Sequence, residues 1–190
     1  MGATRSGAPR LPAAMRRSAA TSLAVLALSG LSACGEEPGV DEPAREGLGI
    51  PVDGIQYNVF ITRQINPRIQ PDEDLYQGPP PAPGSTFYGI FIQACNDTDE
   101  VHEAIDSFKV VDNQGEEFEP IELPEENAFA YRPDELGGGE CIPEAGSVNQ
   151  LGQSGAALIM FELPLEVTEN RPLELELEGE EETKKIELDL

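Results

Sequence analysis

His102 is the only histidine in the chain, so any imidazole chemistry would have to run through it. It stands in Asp99-Glu100-Val101-His102-Glu103, a polar stretch in which a solvated side chain is the expected reading rather than a general base. A Ser-His-Asp arrangement would pair it with Ser107, Ser147 or Ser154, none of which sits in a nucleophile motif. Carboxylates are plentiful, with 36 Asp and Glu. Two of them about 5–10 Å apart could serve as acid and base on a glycosidic bond, but with so many candidates the sequence singles out no pair. Asp72-Glu73-Asp74 and Asp97-Thr98-Asp99-Glu100 put carboxylates on loops, where a hard cation would want several oxygens. Neither follows the EF-hand pattern, so both are read as solvated acidic loops. No zinc spacing, P-loop or dinucleotide fingerprint is present. The residues thus predict no catalytic group, no metal site, no cofactor and no enzyme. Asn96-Asp97-Thr98 has the form of a glycosylation sequon and is read as a turn.

Elements able to position a binding surface are legible further along the chain. Ile55, Tyr57, Val59 and Ile61 alternate with Gln56, Asn58, Phe60 and Thr62, and 86–95 (TFYGIFIQAC) is aromatic and β-branched. Phe108-Lys109-Val110-Val111 and 156–163 (AALIMFEL) are similar. Leu173, Leu175 and Leu177 alternate with Glu174, Glu176 and Glu178, and Ile186 and Leu188 repeat the pattern, which predicts sheets with one wet face. Asp112-Asn113-Gln114-Gly115 reads as a hairpin turn, and 179–185 as a charged hairpin. Seven or so short strands without a long amphipathic helix predict an all-β, antiparallel two-sheet sandwich over 51–190. Long loops at 66–84, with its Gly78-Pro79-Pro80-Pro81-Ala82-Pro83-Gly84 centre, and at 123–152 are expected outside the sheets. An exposed aromatic patch of Tyr76, Phe129 or Tyr131 would mark a contact surface.

The N-terminus carries a different message. Arg16 and Arg17 precede the apolar run Ala19 to Gly30, too short to cross a bilayer, and Leu31-Ser32-Ala33-Cys34 follows. This order resembles the lipobox signal of bacterial lipoproteins. The resemblance implies removal of residues 1–33 and a diacylglyceryl thioether on Cys34, with palmitate-type acylation of the new N-terminus. The protein would then sit on the cell membrane or outer membrane, outside the cytoplasm, with the membrane as a partner through its lipid anchor. Ordinary cleavage near Ala33, with Cys34 as a bystander, is the alternative. Residues 34–50, rich in Pro, Gly and Glu, are expected to be a flexible acidic tether. All 36 acidic residues lie beyond the signal while four of the 12 basic ones lie within it, so the mature charge is 8 − 36 = −28. Such a surface repels nucleic acid phosphates.

If Cys34 carries lipid, Cys95 and Cys141 remain, and an even pair in an oxidising compartment reads as a disulfide; a redox or metal-binding thiol pair is the alternative. Closing that loop would contribute about 4–5 kcal/mol by chain entropy.

Asn96-Asp97-Thr98 after an aromatic strand, the hairpin Phe108 to Phe118 with Asp112 and Gly115, and Gly155 leading to Phe161-Glu162-Leu163-Pro164 together resemble the telokin-like, immunoglobulin-like domains carried by many bacterial lipoproteins. The likeness runs from about Ile55 to Leu188. Glu144-Ala145-Gly146 replaces the Pro-Gly usual before the late strand. The resemblance implies an immunoglobulin-like sandwich that acts as a non-enzymatic binding or accessory module for a protein or cell-envelope ligand. A structural spacer without a ligand is the alternative reading, and a carboxylate-dependent envelope enzyme a more distant one.

Overall fold

The computed structural model describes residues 38–40, 42–152 and 154–190. The lipobox and Cys34 lie outside the described residues. Short strands β1 (Ala44–Arg45) and β2 (Ile50–Val52) lead into the long β3 (Ile55–Ile65) and β4 (Ser85–Cys95). Then come β5 (His102–Glu103), β6 (Ser107–Val111), β7 (Glu117–Phe118), β8 (Glu135–Leu136) and β9 (Cys141–Ile142). After a one-turn helix α1 (Val148–Leu151), the chain ends with β10 (Ala157–Pro164), β11 (Leu173–Glu178) and β12 (Thr183–Leu188).

One main sheet runs β1-β12-β11-β6-β7 and the other β10-β4-β3-β2, with β9 also beside β4, while β5 and β8 form a separate two-stranded sheet. The chain crosses from one sheet to the other between β4 and β6 and again between β10 and β11, so β6 joins the sheet completed by the last two strands. That division, with antiparallel pairing except where β1 runs parallel to β12, makes the domain an immunoglobulin-like β-sandwich. The sheet of β11 and β12 behaves as its alternation predicts. Leu173, Leu175, Leu177, Ile186 and Leu188 are buried, and the Glu side chains between the leucines lie on the wetter face. On that wet face Lys109 Nζ lies 2.8 Å from Glu178 Oε1, and Lys185 Nζ 2.9 Å from Glu176 Oε1. These pairs relieve the carboxylate ladder without adding much stability, because exposed pairs contribute little. Lys184, next to Lys185 but on the inner side, is fully buried, with its Nζ 3.2 Å from Glu182 Oε2. The hairpin is therefore less uniformly solvated than its charge suggests.

The segment expected as a tether is corrected by the structure over its described part. Ala44 is buried and pairs with Ile186, the Gly39 carbonyl accepts from the Lys185 amide, and the Gly47 amide donates to the Val59 carbonyl. An extended, apolar-poor segment can be ordered by a sheet edge that satisfies its backbone, a contribution composition does not register.

Between the sheets lies the main core, in which Tyr57, Ile90, Ile92, Phe161, Leu175 and Ile186 are buried. Its polar element is a backbone clamp. The Ile105 amide donates to the Tyr57 hydroxyl at 2.8 Å, and the Tyr131 hydroxyl donates to the Ile105 carbonyl at 2.9 Å. Burial first, and the neighbouring Tyr57 second, push the Tyr131 hydroxyl well above the ordinary tyrosine range, so it stays a neutral donor. Tyr57→Phe would leave the Ile105 amide buried without a partner. It is expected to cost about 1–3 kcal/mol, read as a lower urea midpoint at unchanged slope; an unchanged midpoint would mean that the clamp contributes nothing.

A second apolar cluster covers the opposite face of the β10-β4-β3 sheet. Ile65, Phe87, Phe91, Leu158 and Met160 on the strands pack against Leu75, Tyr76, Leu123 and Ala130 from the long loops. The loops lie outside the sheets, as expected, but act as a third layer. Residues 121–131 also cover the outer edge of β10, with the Ile121 amide donating to Met160, Leu158 to Phe129 and Tyr131 to Leu158.

Candidate functional site

The site begins with one extra residue in β3. Val59 pairs with Ile92 and Ile61 with Phe91, so Phe60 is a bulge. Before it, Ile55, Tyr57 and Val59 face the main core. After it the phase is inverted, Thr62 turns inward and Ile61 stands 44% exposed. The sequence reading that placed Ile61 on the apolar inner face is therefore corrected, because strict alternation has no means of registering an inserted residue.

Inversion delivers Ile61, Arg63 and Ile65 to the loop-covered face. Ile65 is buried beneath Tyr76 and its neighbours in the second cluster. Arg63 lies with its guanidinium 5.2 Å from the centre of the Phe91 ring and 2.7 Å from Asp72 Oδ1. The other oxygen of Asp72 accepts from the Asn66 amide at 2.8 Å. Burial acts to raise the Asp72 pKa, but the Arg63 hydrogen bond, the Asn66 amide and the Arg63 charge outweigh it and hold the carboxyl below its usual range. Asp72 thus neutralises Arg63 and fastens the 66–75 loop to the sheet. It is not a spare cation ligand, and among the described residues no group of three or more His, Cys, Asp or Glu is placed to hold a metal ion.

The loops stop short of closing over Ile61 and Phe91. They leave a cleft of about 620 Å³, walled by Leu75, Phe129, Val148 and Leu151 and bordered by Asp74, Asn149 and Ser154. Two side-chain hydrogen bonds shape its wall: Asn127 Nδ2 donates to the Leu75 carbonyl at 2.8 Å, and the Phe129 amide donates to Asn127 Oδ1 at 2.9 Å. Helix α1 closes the far side. Its Ser147 hydroxyl accepts from the Gln150 amide at 3.3 Å, a side-chain cap for so short a helix. The helix turns Val148 and Leu151 outward, 59% and 74% exposed, and buries Asn149. Asn149 Oδ1 has no hydrogen-bond partner among the described residues. A larger and more polar hollow of about 890 Å³ beside the proline loop is lined by Gln64, Ile65, Arg68, Glu73, Tyr76 and Pro80. The smaller cleft has the apolar walls and sparse polar groups of a ligand site.

Tyr76 and Tyr131 are buried, and Phe129 is partly buried against the second cluster, so these three form no exposed aromatic patch to mark a contact surface, and only Phe129 walls the cleft. His102 is in a strand, paired with Leu136, and its ring lies against Gly54, where a Cβ would collide with it; it is not the loop residue expected. The three serines are occupied separately. Ser107 donates to Glu178, Ser147 caps α1, and Ser154 donates to the Ala156 carbonyl. Cys95 and Cys141 form the expected disulfide across the β4–β9 pair, their Cα atoms 4.1 Å apart. Asn96, beside it, is fully buried, so its sequon is a structural turn. Its Nδ2 donates to the Glu100 and Leu136 carbonyls at 2.6 and 2.7 Å, while its Oδ1 accepts from the Thr98 amide and hydroxyl.

No protein-family model and no curated protein sequence matches the chain. Among solved structures, it is similar to the yjhA protein of Bacillus subtilis, with 9% identity and a TM-score of 0.46 over 77% of this chain and 99% of that one. It is similar also to an uncharacterised β-sandwich protein of Clostridium difficile 630, with 16% identity and a TM-score of 0.46 over 81% of this chain and 97% of the other.

Proposed function

We propose that the protein is an extracytoplasmic lipoprotein, anchored through lipid on Cys34, whose telokin-like domain is a non-enzymatic binding or accessory module. The observation that carries the binding part is the gap in the third layer. The loops bury most of one sheet face, then leave Ile61, Val148 and Leu151 exposed around a single concavity, where a ligand would complete the cover. Anchoring is supported by Leu31-Ser32-Ala33-Cys34, and the disulfide suits the oxidising side of a membrane. Among the described residues no helix is long and apolar enough to cross a membrane.

Replacing Cys34 by alanine is expected to move the protein from the membrane fraction to the soluble or secreted fraction and to abolish labelling by a palmitate analogue. Two acyl chains hold firmly where one holds marginally. Persistent labelling in the variant would reject the anchor. The binding part is tested by crosslinking in envelope extract: adducts formed by the wild-type chain should disappear in the Val148→Ala, Leu151→Ala double variant. Adducts that are unchanged, or absent from both, would leave a spacer as the better description.

A further inference from the structure

The cleft lies beside an open backbone edge. On the side away from β4, β3 is paired by β2 only at Ile55 to Tyr57, and the Gly47 amide takes the Val59 carbonyl. From Phe60 to Ile65 no backbone hydrogen bond is made on that side among the described residues. The same stretch carries Phe60 and Ile61, 41% and 44% exposed, in a strand that also supplies the floor of the cleft. An unpaired strand edge next to an apolar concavity is the arrangement that accepts an added strand. Backbone groups supply affinity, and alternate side chains fill the hollow.

The polar groups specify the occupant further. Asn149 borders the cleft at 6% exposure, and its buried Oδ1 has no hydrogen-bond partner among the described residues. A buried acceptor left unmade is costly, and a ligand N–H would satisfy it. Charge narrows the choice again. Among the described residues the one cation of the cleft, Arg63, is already neutralised by Asp72, whereas Asp74 at the border and Glu73 beside it are exposed. Glu125 and Glu126, also exposed, lie in the turn that Asn127 ties to Leu75. A chain of net charge −24 repels a second copy of itself and attracts a basic segment.

Resting on the binding-module reading above, we infer that the cleft receives an extended cationic peptide segment of a partner protein, added as a strand along Phe60–Ile65, with apolar side chains over Phe91 and flanking Lys or Arg against the acidic border. A volume of about 620 Å³ accommodates two or three such side chains. An acyl chain would fill the hollow but would use neither the open strand edge nor the Asn149 acceptor.

The test uses the purified full-length chain and a fluorescein-labelled nonapeptide, Lys-Lys-Val-Thr-Phe-Thr-Val-Lys-Lys, in fluorescence anisotropy. Saturable binding is expected, weakened about tenfold by Val148→Ala with Leu151→Ala, two exposed positions whose truncation spares the cores. Methylating alternate backbone nitrogens of the peptide should abolish binding, and exchanging its lysines for glutamates should weaken it severely. Equal binding by the methylated peptide overturns strand addition. Equal binding by the glutamate peptide, or by a nonapeptide of lysine and threonine alone, overturns the proposed recognition. Displacement of the peptide by a fatty acid at lower concentration, or dimerisation through the cleft in sedimentation velocity, would assign the site to an acyl chain or a second copy and overturn the peptide. Cleft-dependent crosslinks in envelope extract without peptide binding would sink this inference alone; loss of those crosslinks as well would sink the binding-module reading beneath it.

Discussion

Replacing Cys95 and Cys141 together by alanine is expected to lower the free energy of unfolding by roughly 4 kcal/mol, the chain-entropy value for a loop of this length. The two residues are 46 positions apart in sequence. For a domain of this size that loss corresponds to a fall in Tm of roughly 8–16 °C. Two cross-strand pairs and little else make up the β4–β9 contact, Ala94 with Ile142 and Cys95 with Cys141, so few backbone bonds are available to hold β9 once the thiols are gone. Scanning calorimetry with and without reductant on the wild-type chain provides the companion measurement. A shift of less than about 2 °C in both experiments would show that the bridge constrains nothing the fold does not already constrain.

The second large effect belongs to the residue next to the bridge. Asn96→Ala is expected to cost about 3 kcal/mol, because one buried amide satisfies the Leu136 carbonyl, the Glu100 carbonyl and the Thr98 amide and hydroxyl at once. The backbone of Asn96 is engaged too, its amide donating to Glu140 and its carbonyl accepting from Gly139. Asn96→Asp should cost more at neutral pH than in acid. An ionised carboxylate at a fully buried position donates nothing to the two carbonyls, whereas the protonated acid donates one bond. Urea midpoints for Asn96→Ala within about 1 kcal/mol of wild type would reduce the residue to an ordinary turn former. Since bridge and amide hold the same 136–142 strap, the two losses should fall short of additivity in a double-mutant cycle.

Much of the sandwich was legible because its strands obey simple periods. LELELE in β11 and the Ile186, Leu188 repeat of β12 gave one sheet with its wet face, and the Asp112 to Gly115 turn was readable from residue type. In the structure the Gln114 and Glu116 amides both donate to Asp112 Oδ1, and Gly115 takes a φ of 81°. The disulfide followed from thiol arithmetic. The cleft was not legible, and the reason lies in two residues. Phe60 inserts a half-period that apolar alternation cannot reveal, because Phe and Ile look alike on either face. Asn149 is an ordinary polar residue in a one-turn helix until the fold buries it. The runs TFYGIFIQAC and AALIMFEL did contain the missing signal. Strands apolar on both faces are covered on both faces, so the long loops had to be a layer rather than excursions into solvent.

That third layer has few strand ladders of its own. It is held to the sheet by apolar contact, by the Arg63–Asp72 pair and by a few bonds along β10. Its opening free energy is therefore a quantity distinct from that of the sandwich. Amide exchange and protease nicking in 66–84 and 121–131 report on the first quantity, and thermal melting largely on the second. A substitution such as Leu75→Ala would speed exchange in those loops well before it showed in a melting curve. A molecule bound only by the closed layer would do the reverse, slowing loop exchange by the factor 1 + [L]/Kd and raising the free energy of global unfolding by the matching RT ln(1 + [L]/Kd). Exchange rates in these loops thus provide a gauge of occupancy at the cleft that requires no knowledge of what the occupant is.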